Sequence, residues 1–209
     1  ETGVLPMGES ATTPRIWSGL SFQGYQFKLA DSADEIEQIQ RLVYRTFVVE
    51  IKQHPDPGED RLIDKFHHKN RYLVAVRGGR VCGMIAVHHQ PPFSVADAIP
   101  TPGLLERLCP DLLEVRLLAV EPDQRQRRLL GGLLWAVYDY AQQLGYRYLA
   151  ISGLRERQPM YERMGFCPLG EPVQRGQAYF VPMLLQLFDL GEHAQRTRDR
   201  LARAVQRAS

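Results

Sequence analysis

The chain has few cysteines and lacks a long hydrophobic run. Its 209 residues include three cysteines, Cys82, Cys109 and Cys167, which lie far apart and form no C-x-x-C pair. This number and spacing suit neither a disulfide framework nor a structural zinc site and are typical of a reducing compartment, so we expect a cytoplasmic location. No apolar run is long enough to cross a bilayer, and the first residues do not resemble a secretory signal, so we expect no stable membrane insertion.

The chain also lacks an excess of charge of one sign. Its formal net charge is +2 and 24% of its residues are charged, as in an ordinary globular domain, so we expect no nucleic-acid partner. Histidines occur in two doublets, His67-His68 and His88-His89. Neighbouring residues on a strand point to opposite faces, so a doublet cannot easily chelate and no metal site is predicted.

The distribution of apolar residues predicts one α+β domain. Residues 1–20 are rich in glycine, serine, threonine and proline and are interpreted as a flexible tail or linker, residues 21–190 as the domain, and residues 191–209 as a basic helix. That helix suits a surface for an acidic carrier protein, a linker to another domain, or a lid. A predicted hairpin over residues 72–87 gives antiparallel strands, and a predicted strand–helix–strand unit over residues 113–152 gives parallel ones. We therefore predict a mixed, mostly antiparallel sheet with helices on both faces, an α/β/α arrangement.

Local signals predict several element boundaries. Ser32 and Glu35 form a capping box at a helix start, and Gly145 stands where a left-handed residue ends a helix. The segment 77–80, Arg-Gly-Gly-Arg, predicts a hairpin turn, and residues 90–110, with five prolines, predict an irregular excursion. The predicted strands cover residues 25–29, 72–76, 81–87, 113–120, 146–152 and 178–187. Predicted helices begin near residues 32, 159 and 192, and another carries the apolar positions from Leu130 to Leu144.

The most informative stretch runs from Leu113 to Leu134, LEVRLLAVEPDQRQRRLLGGLL. It predicts a buried strand, an arginine-rich loop and an apolar helix. A helix start concentrates unpaired N–H donors and a partial positive charge, so it attracts phosphate. The strand also carries one carboxylate, Glu114. A phosphate-binding loop beside a strand carboxylate indicates transfer chemistry on a phosphate-bearing carrier.

The chain resembles the GCN5-related N-acetyltransferase superfamily over roughly residues 25–188. Segment 114–122 resembles the fourth strand of that family, segment 124–134 its donor-binding loop and helix, and segment 161–166 its short fourth helix and following strand. The resemblance implies the fold of that family, in which a parallel strand pair splays apart at the donor site. It also implies that an acyl thioester is a co-substrate and that no cofactor is tightly bound.

In that superfamily the loop reads Arg-x-x-Gly-x-Gly/Ala, and its backbone amides hold the pyrophosphate of coenzyme A. Here Arg128 and Leu130 stand in place of the glycines, so a pyrophosphate should be crowded and a carrier-protein thioester with a single phosphate is favoured. The donor-binding residues that the resemblance implies are Leu118, Ala119, Val120, Arg125, Gln126, Arg127, Arg128, Leu129, Leu130 and Gly131, the first three through their backbone N–H groups.

A narrower resemblance links the chain to acyl-homoserine-lactone synthases and, more closely, to the long-chain N-acyl amino acid synthases of that branch. It rests on segment 44–50, the acidic loop 56–60, segment 62–64 and the ending 176–183. The lactone synthases carry Glu-x-x-Arg where this chain has Glu-Val-Arg over residues 114–116, so lactone production is not expected. The amine-site residues that this resemblance implies are Arg45, Phe47, Glu50, Asp64 and Arg116, although Arg45 with Asp64 also suits an ordinary surface ion pair.

Two residues are candidates for catalysis. An amine arrives protonated near neutral pH, so a base is needed, and Glu114 stands six residues before Val120, where relatives place theirs. We expect its apolar neighbours to raise its pKa, the alternative being a structural ion pair with Arg116 or another arginine. For Tyr161 the resemblance implies protonation of the departing sulfur, and the alternative is a half-buried ring that only packs.

These observations predict an N-acyltransferase that moves an acyl group from an acyl carrier protein or coenzyme A onto an amino acid or related small amine. A long acyl chain would need an apolar tunnel between the central strands. Two other functions fit the sequence. One is an ordinary acetyl-CoA-dependent N-acetyltransferase, and the other is a non-catalytic domain that senses acyl-CoA.

Overall fold

The computed structural model describes residues 17–125, 127–188 and 192–206. The described residues form one sheet of nine strands with helices on both faces. The strands are β1 (Leu20–Phe22), β2 (Tyr25–Leu29), β3 (Arg71–Arg77), β4 (Arg80–His88), β5 (Leu112–Val120), β6 (Tyr148–Leu154), β7 (Cys167–Pro168), β8 (Val173–Arg175) and β9 (Ala178–Gln186). The helices are α1 (Ala33–Tyr44), α2 (Arg127–Leu144), α3 (Gln158–Arg163) and α4 (Glu192–Gln206).

The sheet runs in the order β1-β2-β3-β4-β5-β6-β9-β7, and β8 pairs with β9. Neighbours are antiparallel except β5 and β6, which are parallel and are connected through α2. The predicted mixed, mostly antiparallel sheet with one parallel pair is therefore confirmed. None of the described helices is long and apolar enough to cross a membrane.

Alternation along the strands separates two layers of core. Leu73 on β3 faces α2 and packs with Leu133, while its neighbour Val74 faces α1 and packs with Leu42. Successive strand residues point to opposite faces, so a strand that is apolar at every position is covered on both sides. The irregular segment that follows β4 extends the cover on the α1 face, where Phe93 contributes to a third apolar cluster.

The predicted turns and caps are confirmed. The Oγ of Ser32 accepts a hydrogen bond from the backbone N–H of Glu35 at 3.2 Å and so caps α1. Gly78 and Gly79 both have positive φ, 59° and 76°, as a two-residue hairpin turn requires. Gly145 has φ of 85° directly after α2, in agreement with its predicted role as the residue that ends the helix.

The helix α1 continues directly into a π-helix over Arg45–Glu50, which the sequence did not predict. The backbone N–H of Ile51 donates to the carbonyl of Thr46 at 2.9 Å, five residues earlier. This wider turn places Thr46 and Phe47 inside the protein. π-Helical turns are rare and frequently occur at functional sites.

Residues 17–20, which were interpreted as part of a tail, include one that packs against the domain. Trp17 is buried, its Nε1 donates to Asp139 at 2.7 Å, and its ring meets Tyr140 edge-on. Because these contacts tie residue 17 to α2, the boundary between tail and domain lies no later than Trp17. The short strands β1, β7 and β8 were also missed, because two or three residues carry no periodic pattern. Residues 1–16, 189–191 and 207–209 of the predicted tail and C-terminal helix lie outside the described residues.

Candidate active site

The site begins where the parallel strands β5 and β6 separate. Their pairing covers Leu112–Val115 on β5 and Tyr148–Ile151 on β6. Beyond these residues β5 continues to pair with β4 alone, and β6 continues with β9 alone. The two strands therefore present facing edges whose backbone groups have no strand partner in the described part of the chain.

A bulge in β5 lies at this opening. Between two pairs with β4, Met84 with Ala119 and Ala86 with Arg116, β4 advances two residues and β5 advances three. Leu117, within the longer stretch, has φ of 53°, which is unusual for a branched apolar residue. A bulge leaves one residue out of the ladder and redirects the backbone around it. It therefore frees backbone polar groups where Leu117 and Leu118 line the opening.

A cavity of about 510 Å³ occupies the space between the separated strands. That volume falls within the usual range for small-molecule sites. Its wall is mostly apolar and comes from β4, β5, β6, β9, α2 and the segment after α3, through Ile85, Val115, Leu118, Val137, Leu149, Ile151, Phe166, Phe180 and Leu185. The cavity therefore suits a long apolar group, as the predicted tunnel requires.

Charged side chains lie at the border of this apolar wall. Arg125 donates from Nη2 to the Glu50 carboxylate at 2.5 Å and from Nε to the carbonyl of Val120 at 3.2 Å. Arg157, before α3, and Arg198, on α4, also line the cavity. Since these cations come from separate parts of the chain, only folding collects them around one opening.

Tyr161 lines the cavity from α3, and its ring is packed on two sides. The ring meets Phe166 edge-on at 6.2 Å, and a Cβ at Gly153 would lie only 2.7 Å from Cε2 of the tyrosine. Burial raises the pKa of Tyr161 above its ordinary value, so the phenol keeps its proton at neutral pH. The predicted acid and the alternative of a packed ring are thus compatible with one another.

Glu114 does not line the cavity. Its side chain is fully buried on the α1 face, and its oxygens accept from the N–H of Ser94 at 3.0 Å, from its Oγ at 2.7 Å and from the N–H of Val95 at 2.9 Å. Nε2 of His88, directly opposite on β4, lies 2.7 Å from the carboxylate. These contacts satisfy both carboxylate oxygens, and the ion-pair partner is a histidine instead of the arginine considered above.

The prediction of a raised pKa for Glu114 is wrong. Burial alone would raise the pKa of this carboxyl, but hydrogen bonds from His88 and Ser94, together with the positive charge of Arg116, hold it below the ordinary value. The apolar neighbours in the sequence do bury Glu114. The hydrogen-bond donors that stabilise its anion, however, come from other segments of the chain. Glu114 is therefore charged at neutral pH.

Arg116 links this buried pair to the predicted amine-site residue Asp64. It donates two hydrogen bonds to the Asp64 carboxylate, at 2.6 and 3.1 Å, and one from Nε to the Oγ of Ser94 at 2.9 Å. Burial alone would raise the pKa of Asp64, but Arg116 and Asn70 hold it below its usual range. Arg116 lines the cavity, whereas Asp64 stands behind it and fixes its guanidinium.

Arg45 and Asp64 do not form the ion pair that was considered as the alternative to an amine-site role. Arg45 pairs instead with Glu121, directly after β5, and does not line the cavity. Phe47 and Glu50, from the same π-helix, do line it. Because a π-helical turn differs from an α-helical one, side-chain directions after α1 could not be derived from ordinary helical spacing.

The predicted donor loop is divided between cavity and core. The cavity is lined by Leu118, Val120, Arg125 and Leu130, whereas Ala119 and Leu129 are buried in the cores of the two faces. Gln126 lies outside the described residues, as does the side chain of Arg127.

The helix start and its glycines also differ from the expected phosphate loop. Arg128 turns away from the cavity and donates to Gln23 at 3.0 Å. Gly131 lies within α2 and is not a cavity residue, and Gly132 allows close packing, since a Cβ there would lie 2.3 Å from the ring of Phe27. Since α2 begins at Arg127, its first N–H groups have no partner within the helix and remain available to an anion.

Among the polar residues that line the cavity, Thr46, Arg157 and Arg198 were not predicted from the sequence. Thr46 lies within segment 44–50, which carries the narrower resemblance, but nothing in the sequence distinguishes it from its neighbours there. Arg157 lies one turn before Tyr161, and this spacing was a detectable signal. Arg198 was assigned to the basic helix as a whole, since sequence cannot tell which arginine of α4 meets the domain.

Residues 38–187 match the family described as N-acyl amino acid synthase FeeM. That match begins within α1 and covers the π-helix, the separated strands and every residue that lines the cavity except Arg198. No curated protein sequence matches the chain.

Solved structures are similar in fold at low sequence identity. The CoA-dependent acyl-homoserine lactone synthase BjaI, with SAM and isopentyl-CoA, superposes with a TM-score of 0.69 at 21% identity over 86% of this chain and 90% of that one. FeeM, an N-acyl amino acid synthase from uncultured soil microbes, gives 0.61 at 16% identity over 81% and 96%. An N-acetyltransferase from Lactobacillus plantarum, described as putative, gives 0.60 at 17% identity over 79% and 99%.

The three relatives share the sheet with a parallel pair described above, and this confirms the expected fold of the GCN5-related N-acetyltransferases. The family match extends over more than half of the chain. It agrees with the resemblance carried by the segment around Glu50 and by the ending near residue 180. The chain is therefore an N-acyltransferase and belongs to the N-acyl amino acid synthase FeeM family.

Proposed function

We propose that the protein joins a long acyl chain, delivered as a carrier-protein thioester, to the amino group of an amino acid. The observation that carries this proposal is the apolar cavity of about 510 Å³ that opens between β5 and β6. A two-carbon acetyl group needs no apolar wall of this extent. Burial of a long chain, by contrast, stabilises the complex by about 0.8 kcal/mol for each methylene removed from water.

The bulge in β5 and Tyr161 act on the acyl donor. We place the thioester carbonyl at the edge of β5 beside Leu117 and Leu118, where backbone N–H groups freed from the ladder stabilise the developing negative charge. The carbon–sulfur bond breaks as the tetrahedral intermediate collapses. The Tyr161 phenol, protonated at neutral pH, then gives its proton to the departing sulfur.

The choice of a carrier protein over coenzyme A rests on charge and shape. Arg125, Arg157 and Arg198 surround the cavity and suit the single phosphate of a pantetheine arm. The helix α4, which brings Arg198 to the cavity, carries further arginines, and a basic helix suits an acidic carrier surface. Arg128 and Leu130 replace the glycines that would let a pyrophosphate approach the start of α2.

A cytoplasmic location stays our prediction for the protein. Cys82, Cys109 and Cys167 are free thiols, which supports a reducing compartment. Acyl carrier thioesters and free amino acids would both have to be available in the same compartment for the proposed reaction.

The direct test compares donors of equal chain length on the purified protein. Acyl carrier thioesters and acyl-CoA thioesters with two to sixteen carbons are mixed with amino acids, and amides are identified by mass spectrometry. We expect N-acyl amino acids from long-chain carrier thioesters and a KM for the carrier that rises with salt, because charge pairs are screened. Faster turnover of acetyl-CoA than of any long-chain donor would contradict the proposal and support an ordinary N-acetyltransferase.

Filling the cavity should shorten the preferred acyl chain. Val137 of α2 lines the cavity and is 4% exposed, so V137F places a ring where the chain would lie. The optimum in a donor chain-length series should move to shorter chains. The control V43F changes an equally buried valine of α1, 2% exposed and outside the cavity, and carries a similar overpacking cost. An unchanged optimum in V137F would contradict a chain bound at this position.

Removal of the Tyr161 hydroxyl should slow turnover without unfolding the protein. For Y161F we expect kcat to fall by about 100-fold, as for other general acids, while thermal stability stays near that of wild type. Because burial raises the pKa of this phenol, wild-type kcat should show no loss from tyrosine ionisation near pH 10. The control Y179F alters an exposed tyrosine outside the cavity. Full activity in Y161F would reduce the residue to a packing role.

Loss of the Glu114 charge should act on stability and not on proton transfer. Breaking this buried pair in E114Q should lower the free energy of unfolding by about 3 kcal/mol at pH 7. The folded pKa lies below the ordinary 4.5, so the stabilisation is complete above pH 4.5 and is lost as pH falls through the lowered pKa. Urea denaturation at several pH values should therefore show the gap between wild type and E114Q closing in acid.

The control for Glu114 is D123N, which removes an exposed carboxylate whose pKa Arg80 lowers to about 2. Solvent screens that pair, so unfolding in D123N should resemble wild type. Kinetics at a temperature where E114Q is folded complete the test. Abolished turnover in a stably folded E114Q would show that Glu114 takes part in the chemistry after all.

A further inference from the structure

Thr46 carries a buried hydroxyl that the fold does not use. The residue is 6% exposed, and its Oγ1 has no hydrogen-bond partner among the described residues. It nevertheless lines the cavity. Buried hydroxyls are normally paired, because an unpaired one loses its hydrogen bonds to water without replacement. A polar atom left in this state beside a cavity is suited to a ligand.

The π-helix explains why this hydroxyl is free and where it points. In an ordinary helix a threonine often bonds the carbonyl four residues earlier, a contact that Thr46 does not make within the described chain. The widened turn places Thr46 and Glu50 at one end of the same cavity, where Glu50 pairs with Arg125. A neutral acceptor and an anion thus stand one helical turn apart.

The cavity is lined by residues that pack on opposite faces of the sheet. Phe47, next to Thr46, packs in the core on the α1 face, whereas Tyr161 packs against the core on the α2 face. The opening between β5 and β6 connects them. A thioester held at the bulge beside Leu117 therefore has one side toward Tyr161 and the other toward Thr46.

We propose that Thr46 is the residue that binds the amino group of the acceptor amino acid, with Oγ1 accepting a hydrogen bond from its N–H and Glu50 supplying the negative charge beside it. This inference rests on the proposed function and adds to it a place for the second substrate. An unprotonated or protonated amine is a donor, so it matches a hydroxyl oxygen and a carboxylate.

The proton count of the reaction agrees with this arrangement. The substrate ammonium carries three protons, of which one stays on the amide nitrogen. A second passes to Glu50 and then to solvent, freeing the lone pair that forms the carbon–nitrogen bond. The third replaces the phenolic proton that Tyr161 gives to sulfur as the carbon–sulfur bond breaks. The products are an amide, a thiol and one proton.

The test uses T46V, which removes the hydroxyl at nearly constant shape, and T46S, which keeps it. We expect the KM for the amino acid to rise about tenfold in T46V, with the KM for the acyl carrier thioester unchanged. Thermal stability of T46V should equal or exceed that of wild type, because the lost hydroxyl had no partner in the fold. The serine variant should recover the amino acid KM.

A binding measurement separates this inference from the function on which it rests. Calorimetric titration with N-dodecanoylglycine should give a Kd about tenfold weaker for T46V than for wild type and T46S. Equal affinity in all three, or a change confined to the donor KM, would overturn the role of Thr46 and leave the acyltransferase intact. Failure of the wild-type protein both to bind this amide and to form one would instead reject the proposed function together with the inference.

Discussion

The early end of the pairing between β5 and β6 is the constraint on which the rest of the site depends. After Val115 and Ile151 each strand keeps only its outer neighbour, so the sheet opens at its centre while its two halves stay intact. Ser152–Leu154 is held by β9, and the bulge at Leu117 redirects β5. Cavity, free backbone edge and convergent arginines all follow from this separation.

A buried polar cluster supports the opening from the α1 face. Glu114 is held by His88 and Ser94, and Arg116 joins Ser94 to Asp64. Buried charges are tolerated because nearly every oxygen has a donor, and removal of any partner would leave an unpaired charge. The cluster ties three distant segments together at the base of the bulge. It thereby fixes the direction of β5 at the point where its pairing with β6 ends.

The fold was largely predictable from local patterns. The helix cap at Ser32, the glycine turn at residues 78–79 and the glycine after α2 each depend on neighbours in sequence, and each is present in the structure. Within the predicted capping box, the Glu35 carboxylate accepts from the N–H of Asp31 instead of that of Ser32. The strands β5 and β6 are parallel, as a long connection through a helix predicts. The longer strands were found because their side chains show a periodic pattern. Strands such as β7 are too short to show one and were missed.

The site was less predictable because its residues are defined by direction. Tyr161, Arg125 and Glu50 do reach the cavity, whereas Glu114 and Arg128 turn away from it. On a strand a shift of one position reverses the face, and β5 contains a bulge that no composition reveals. The pKa of Glu114 was predicted with the wrong sign because its hydrogen-bond donors lie on other segments.

The sequence by itself determined the type of element along most of the chain, the parallel crossover and the family. These depend on periodicity, caps and turns, whose physical causes act over a few residues. Only the tertiary structure decided how far β5 and β6 stay paired, which face each side chain takes and which buried polar atoms find partners. Thr46 shows the difference, since its lack of a partner is a property of everything packed around it and of no pattern in the chain.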